Sequence, residues 1–311
     1  MRVLVAGATG AIGRPLVRQL VEAGHEVVGL TRRPEKVDEL DAAGARGVVC
    51  DVCDRDAVMA VVGGAQPHVV MDQTTALPQR FDARRMFDFY RGMIELRLVG
   101  TPNLFEAADR QGARLLFQSV AFLYAPDGTP RLRTEDDPPY LEGAPFPWDM
   151  ALPPIVALER RALALGGVVL RYGSFYGPGT HFDRGNQFAE DLKRRRLPIV
   201  GRGAGVMSFI HVEDAAAATV RVLDWDGSGI LNVVDDRPIA NREWVPALAK
   251  AVGAARPLRV PKVLARLASG PLPVHMATAM PGASNRRARE ELGWRPRYPT
   301  LRDGLRAARA G

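Results

Sequence analysis

Long apolar runs are missing from this chain. No stretch approaches the roughly 20 residues that span a bilayer, so no membrane partner is expected. No charged-then-apolar leader with a small-residue cleavage site opens the sequence, and the expected location is the cytoplasm. Cysteine is scarce. The two present stand as Cys50-Asp51-Val52-Cys53, without a second pair or a histidine cluster to complete a zinc site, so no metal is expected. The pair follows an expected strand, whereas redox pairs start a helix, and it reads as two reduced thiols. Concentrated charge is lacking too. The net charge is +7, but the arginines are scattered. The one dense run, Lys193-Arg194-Arg195-Arg196, ends an expected helix, where cations complement the dipole. No nucleic-acid partner is expected.

What remains is a chain of 311 residues, 47% hydrophobic and 25% charged, able to bury a large core. It opens on Val3-Leu4-Val5-Ala6-Gly7-Ala8-Thr9-Gly10-Ala11-Ile12-Gly13, followed by Leu16, Val17 and Leu20 at helical spacing. That pattern is strand, glycine turn, helix. Glycines let the backbone turn tightly beside a pyrophosphate, which sits on the free N–H groups and positive end of the helix. A dinucleotide is therefore the expected ligand. Strand signals recur at 25–30, 45–51, 69–72, 115–119 and 167–171. Helices are expected over 54–62 and 81–111. Alternation of this kind makes a parallel sheet covered on both faces.

The second strand ends at Thr31-Arg32-Arg33-Pro34. An acid there would accept from the ribose of NAD, whereas arginine favours the extra phosphate of NADP. NADP(H) is expected over NAD(H), with Arg32 and Arg33 as the contacts. From about residue 175 the chain turns to Gly, Pro and longer loops. A helix is expected over 186–195, a short strand over 197–200, and a helix from Val212 with an acid as its N-cap. A strand over 231–234 is expected to return to the sheet.

On these motifs the chain resembles the extended short-chain dehydrogenase/reductase superfamily, its NAD-dependent epimerase/dehydratase group. Gly7 to Gly13 match the cofactor loop, Asp51-Val52 the adenine contact, and Thr74-Thr75-Ala76 the end of the fourth strand at the cofactor. Gly100-Thr101-Pro102-Asn103-Leu104, the run Arg171 to Gly179, and Phe209-Ile210-His211-Val212-Glu213-Asp214 match three later signatures. The resemblance implies an α/β fold: a Rossmann-type doubly wound parallel sheet over 1–174 and a smaller substrate lobe over 175–311. It implies cofactor contacts from Gly7, Thr9, Gly10, Ala11, Ile12, Gly13, Asp51, Val52, Thr74, Thr75, Ala76 and Tyr172. It also implies a homodimer built on the helices around 84–111 and 155–165.

The superfamily's catalytic trio is absent. Its Ser/Thr position falls on Val120, its Tyr on Ala151 and its Lys on Ile155. Pro153 and Pro154, tolerated in a first turn, place Ala151 in the loop ahead of the helix. Met207 stands where nucleotide-sugar enzymes carry an Arg, and Arg97 where an Asn is usual. Candidate proton donors are Tyr124, Tyr176, His181 and Ser119, with water or the substrate as alternatives. Trp148, Phe146 and Met150 are candidates for an apolar wall. The leading expectation is an NADP(H)-dependent ketoreductase acting on a bulky small molecule. Two alternatives stand beside it: an NAD-dependent epimerase or dehydratase on a sugar-like substrate, and a non-catalytic NADP-binding sensor.

Overall fold

Arg2–Ala6 forms β1, and all of it but Arg2 is sealed from solvent. The computed structural model describes residues 1–77, 85–183 and 185–310. Strand and helix then alternate: α1 (Gly13–Glu22), β2 (Glu26–Thr31), α2 (Val37–Ala42), β3 (Arg46–Val49), α3 (Arg55–Ala65), β4 (Val69–Asp72), α4 (Met86–Leu98), α5 (Gly100–Gln111), β5 (Arg114–Val120), α6 (Trp148–Ala164) and β6 (Val168–Tyr172). Beyond them come β7 (Ser174–Tyr176), α7 (Gln187–Lys193), β8 (Ile199–Val200), β9 (Val206–Met207), β10 (Phe209–His211), α8 (Val212–Arg221) and β11 (Gly229–Val233). The chain finishes with β12 (Ile239–Ala240), α9 (Asn241–Ala251), β13 (Arg259–Val260), α10 (Lys262–Ser269), α11 (Pro271–Thr278), α12 (Arg286–Leu292) and α13 (Leu301–Ala310).

Seven strands make one parallel sheet in the order β11-β6-β5-β4-β1-β2-β3. Both faces are covered, so the strands read as continuous apolar runs. Val3 and Val5 face the core built with Leu16 and Leu20, while Leu4 and Ala6 face the one built with Phe105 and Phe117. Strand order reverses between β1 and β4, which opens a crevice at their carboxyl ends, where sheets of this kind take ligands. The fold is the expected Rossmann-type α/β arrangement, and β11 pairs in register with β6, Leu231 beside Leu170.

Three local expectations are corrected. The long helix over 81–111 is two, α4 and α5, broken at Val99, because Pro102 has no N–H to return to Leu98. Residues 81–84 lie outside those described. Next, α6 begins at Trp148, so Ala151 lies inside the helix and one turn from Ile155. Pro153 and Pro154 leave only the carbonyls of Asp149 and Met150 without helical donors, and both residues are solvent-exposed. Finally, no acid caps α8. The His211 ring nitrogen Nδ1 accepts from the Glu213 N–H at 3.2 Å. Asp214 instead accepts from the backbone N–H groups of Arg297 and Tyr298, at 2.8 and 2.9 Å.

Candidate cofactor and active site

The glycine loop closes on itself with no room for side chains. A Cβ on Gly13 would lie 2.2 Å from the Gly7 carbonyl oxygen, and one on Gly7 would lie 2.4 Å from that of Gln73. Gly7 also holds a φ of +82°, where L-residues are strained. Gly10 N–H donates to Gly7 at 3.0 Å and Arg14 N–H to Gly10 at 3.2 Å. The N–H groups of Ala11, Ile12 and Gly13 have no acceptor among the described residues. Those donors at the head of α1 form an anion cradle that a pyrophosphate fits.

At the end of β2 stands a hydroxyl, not a carboxylate. Thr31 Oγ1 accepts from Arg33 N–H at 3.2 Å and lies 3.4 Å from the Thr9 hydroxyl, tying strand end to glycine loop. Arg32 and Arg33 are both exposed and have no ion-pair partner among the described residues. Across from them, Asp51 accepts from Cys53 N–H at 2.9 Å, and Asn103 donates to the Val52 carbonyl at 2.9 Å, which fixes the turn after β3. Burial pushes both thiols, Cys50 and Cys53, up from their ordinary pKa, so neither is a ready thiolate.

Behind this surface lies a feature that was legible only as an oddity. Arg97 is buried and reaches Asp72 at 3.3 Å, the Thr101 hydroxyl at 3.0 Å, and the carbonyls of Thr74 and Gln118 at 3.2 and 3.4 Å. Asp72 in turn accepts from Thr101 at 2.9 Å and from the Thr74 N–H and hydroxyl. One guanidinium thus holds the ends of β4 and β5 to α4 and α5. Ala76 N–H points at Met93 Sδ, and Thr75 is exposed. Tyr172 is buried, its hydroxyl shared with Thr219 at 2.6 Å and Gln73 at 3.3 Å.

Most of the candidate proton donors are committed elsewhere. Ser119 Oγ donates to Glu159 at 2.5 Å. Arg171 forks onto the same carboxylate at 2.8 and 2.6 Å and gives its third bond to the Tyr124 hydroxyl at 2.9 Å. Tyr124 passes its own proton to Asn232 Oδ1 at 2.7 Å. This chain of bonds joins β5, α6, β6 and β11 through the sheet. Burial pushes the Tyr124 phenol up to about 12, against the pull of Arg171. Tyr176 is buried with its hydroxyl on the Thr300 carbonyl at 3.4 Å, and burial likewise raises its pKa. His211 packs on Tyr298 at 4.4 Å, and burial lowers its pKa to about 4, so it stays neutral. His181 sits half-buried on the loop after β7, edge-on to Phe188. At the trio's own positions stand Val120, Ala151 and Ile155, none able to move a proton.

Around those positions the wall is aromatic. Phe122 stacks on Trp148 at 5.7 Å, and Trp148 Nε1 donates to the Tyr90 hydroxyl at 2.9 Å. His275 of α11 meets Trp148 edge-on at 5.7 Å and Tyr140 at 5.3 Å. Its Nε2 is sealed from solvent and has no partner among the described residues, and burial lowers its pKa. Trp148 is fully buried, whereas Phe146 and Met150 are about half exposed. Sequence reading had no signal for Phe122, Tyr90, Tyr140 or His275, which come together only through contacts 26 to 135 residues apart in the chain.

Residues 3–233 match a family model described as the NAD dependent epimerase/dehydratase family. A 3-diazoavenalumate denitrifying reductase from a Streptomyces species is 42% identical over 308 residues, 98% of this chain and 99% of that one. A 2-alkyl-3-oxoalkanoate reductase from Stenotrophomonas maltophilia is 28% identical over 82% of this chain and 77% of its own. The fold matches the crystal structure of Thermus thermophilus UDP-glucose 4-epimerase in complex with NAD. The TM-score is 0.73 and the identity 25%, over 98% of this chain and 97% of that one.

Proposed function

We propose that this chain, which belongs to the NAD dependent epimerase/dehydratase family and is a nicotinamide-dependent oxidoreductase, is an NADP(H)-dependent reductase acting on a bulky, aromatic small molecule. The electrophile it reduces is one that needs no proton from the protein. The observation that carries this reading is the loss of every proton-carrying group of the trio, with Val120, Ala151 and Ile155 at its positions and Ser119 and Tyr124 spent on Glu159, Arg171 and Asn232.

The residues present fit the cofactor: the Gly7–Gly13 cradle for the pyrophosphate, Asp51 and Val52 beside the adenine, and Arg32 and Arg33 for a 2′-phosphate. Bound there, the nicotinamide supplies a hydride equivalent. A ketone accepting it becomes an alkoxide and must also take up a proton. An aryl diazonium needs none, because the added hydride lets the ring leave with hydrogen in place of N2. The protein's part is then to bind and orient, with Phe122, backed by the buried Trp148, as an apolar, water-excluding wall. The similarity to a denitrifying reductase of a diazo compound supports this reading over a carbonyl substrate. Ketone reduction stands second, favoured by the likeness to an oxoalkanoate reductase, with water as the proton source. We also propose a homodimer through α4, α5 and the C-terminal part of α6, readable by light scattering.

The test is direct. Purified protein with NADPH and an aromatic diazo acid should consume both in equal amounts and release N2, with NADH a poorer donor. Turnover of ketones without diazo reduction would move the assignment to the second reading. Tight NADPH binding with no turnover on either class would leave a sensor.

A further inference from the structure

One helix turns its apolar side outward. On α10, Val263, Leu264 and Leu267 are 70%, 57% and 81% exposed, and Leu258 just before it is 48% exposed. Successive helical residues advance by about 100°. Val263, Leu267 and Leu264 therefore fall within one arc of roughly a quarter turn, while Lys262 and Arg266 lie together on another side. Only Ala265 is buried, in a small cluster with Val200, Val274 and Ala277. Scattered surface leucines are ordinary, but three exposed apolar side chains on one side of a short helix, with Leu258 just before it, mark a contact surface.

Charge identifies what the surface meets. Between Glu243 and Glu290 the sequence contains no Asp or Glu, yet it carries Lys250, Arg256, Arg259, Lys262, Arg266, Arg286, Arg287 and Arg289. Arg256, Arg259, Lys262 and Arg266 are exposed and have no ion-pair partner among the described residues. Leucines ringed by unpaired cations suit a layer that is apolar within and negative at its face. Two copies of the chain meeting through this patch would set cation against cation. No helix among the described residues is long and apolar enough to cross a membrane, so contact here is peripheral.

We propose that α10 and its flanks, residues 256–267, form a docking surface for an anionic lipid bilayer. Leu258, Val263, Leu264 and Leu267 enter the headgroup region, and the four cations pair with lipid phosphates. This inference is independent of the reaction proposed above. Directly after Gly270 the chain runs into α11, which carries His275 against Trp148. A bilayer-docked α10 therefore stands one short helix from the aromatic wall.

The experiment is flotation of the full chain with two sets of vesicles, phosphatidylcholine alone and the same lipid with about one-third phosphatidylglycerol. Binding should be at least about tenfold stronger to the anionic set and should fall away as salt shortens the screening length. Leu264→Asp with Leu267→Asp should abolish it. Both side chains face water, so this variant should keep its fold and its NADPH binding. A chain that stays in solution with both vesicle types overturns the proposal, and so does equal binding to both. A self-association lost in the double variant, without vesicle binding, would also overturn it and make the patch an interface between copies.

Discussion

Asp235 offers a quantitative test of how the C-terminal elements are held. It follows β11, is 1% exposed, and neither carboxylate oxygen makes a well-formed hydrogen bond among the described residues. Burial pushes its pKa up to about 8, and the nearby backbone N–H groups of Arg237 and Leu301 offset this only in part. The carboxylates of Asp236 and Asp214 push in the same direction as burial, and the Tyr176 phenol lies nearby. In the unfolded chain an Asp gives up its proton near pH 3.9. Between the two values the unfolded state binds fewer protons, so rising pH removes stability, about 1.4 kcal/mol per unit. The sum is about 2 kcal/mol at pH 5 and about 5 kcal/mol at pH 7.5. Asp235→Asn keeps the shape and cannot ionise. At about 2.1 cal/mol/K of unfolding entropy per residue, a chain of 311 residues converts that 3 kcal/mol difference to roughly 5 °C. Melting curves from pH 5 to pH 7.5 should therefore show the variant pulling ahead of the parent by about 5 °C. Parallel curves for the two proteins would refute the reasoning.

Two further outcomes bear on the site. Arg32→Ala with Arg33→Ala should weaken NADPH binding by tenfold or more, since hydrogen bonds to charged groups contribute about 1.5–3 kcal/mol each. NADH affinity should hardly move, and a titration in which both cofactors weaken alike would remove the phosphate-binding role. Tyr124→Phe leaves Arg171 and Asn232 short of one partner each, at about 1–3 kcal/mol, which should lower Tm by about 2–5 °C. Its kcat/KM should stay within about threefold of the parent, and a loss of several orders of magnitude would make Tyr124 a proton donor after all.

The sheet and the cofactor loop were legible because their signals are local. Glycine spacing, apolar runs and a strand end at Thr31-Arg32-Arg33 each speak within about a dozen residues. The reaction centre was legible only as a loss, at Val120, Ala151 and Ile155. What occupies the candidates was not. Ser119 and Glu159 are 40 residues apart, and Tyr124 and Asn232 are 108 apart, and no periodicity announces such pairs. Pro153 and Pro154 misled because helix propensity prices the missing N–H groups without asking whether the orphaned carbonyls reach water. His211 was legible only as part of a family signature, and in the fold its ring replaces the acid expected as the α8 cap.

The edge position of β11 constrains how the chain is made. Until residues 229–233 leave the ribosome, β6 has one side unpaired, and β6 is the buried, apolar run Val168–Tyr172. An open edge of that kind is a template for pairing with other chains. The nascent protein must carry this exposed strand through the synthesis of some sixty further residues, at about 5–20 residues per second. A fragment cut at residue 174 keeps the glycine loop yet bares that same edge permanently. The N-terminal half is therefore not a module that can be excised or fused elsewhere, and gene fusions are better tolerated at the chain's ends than at residue 174.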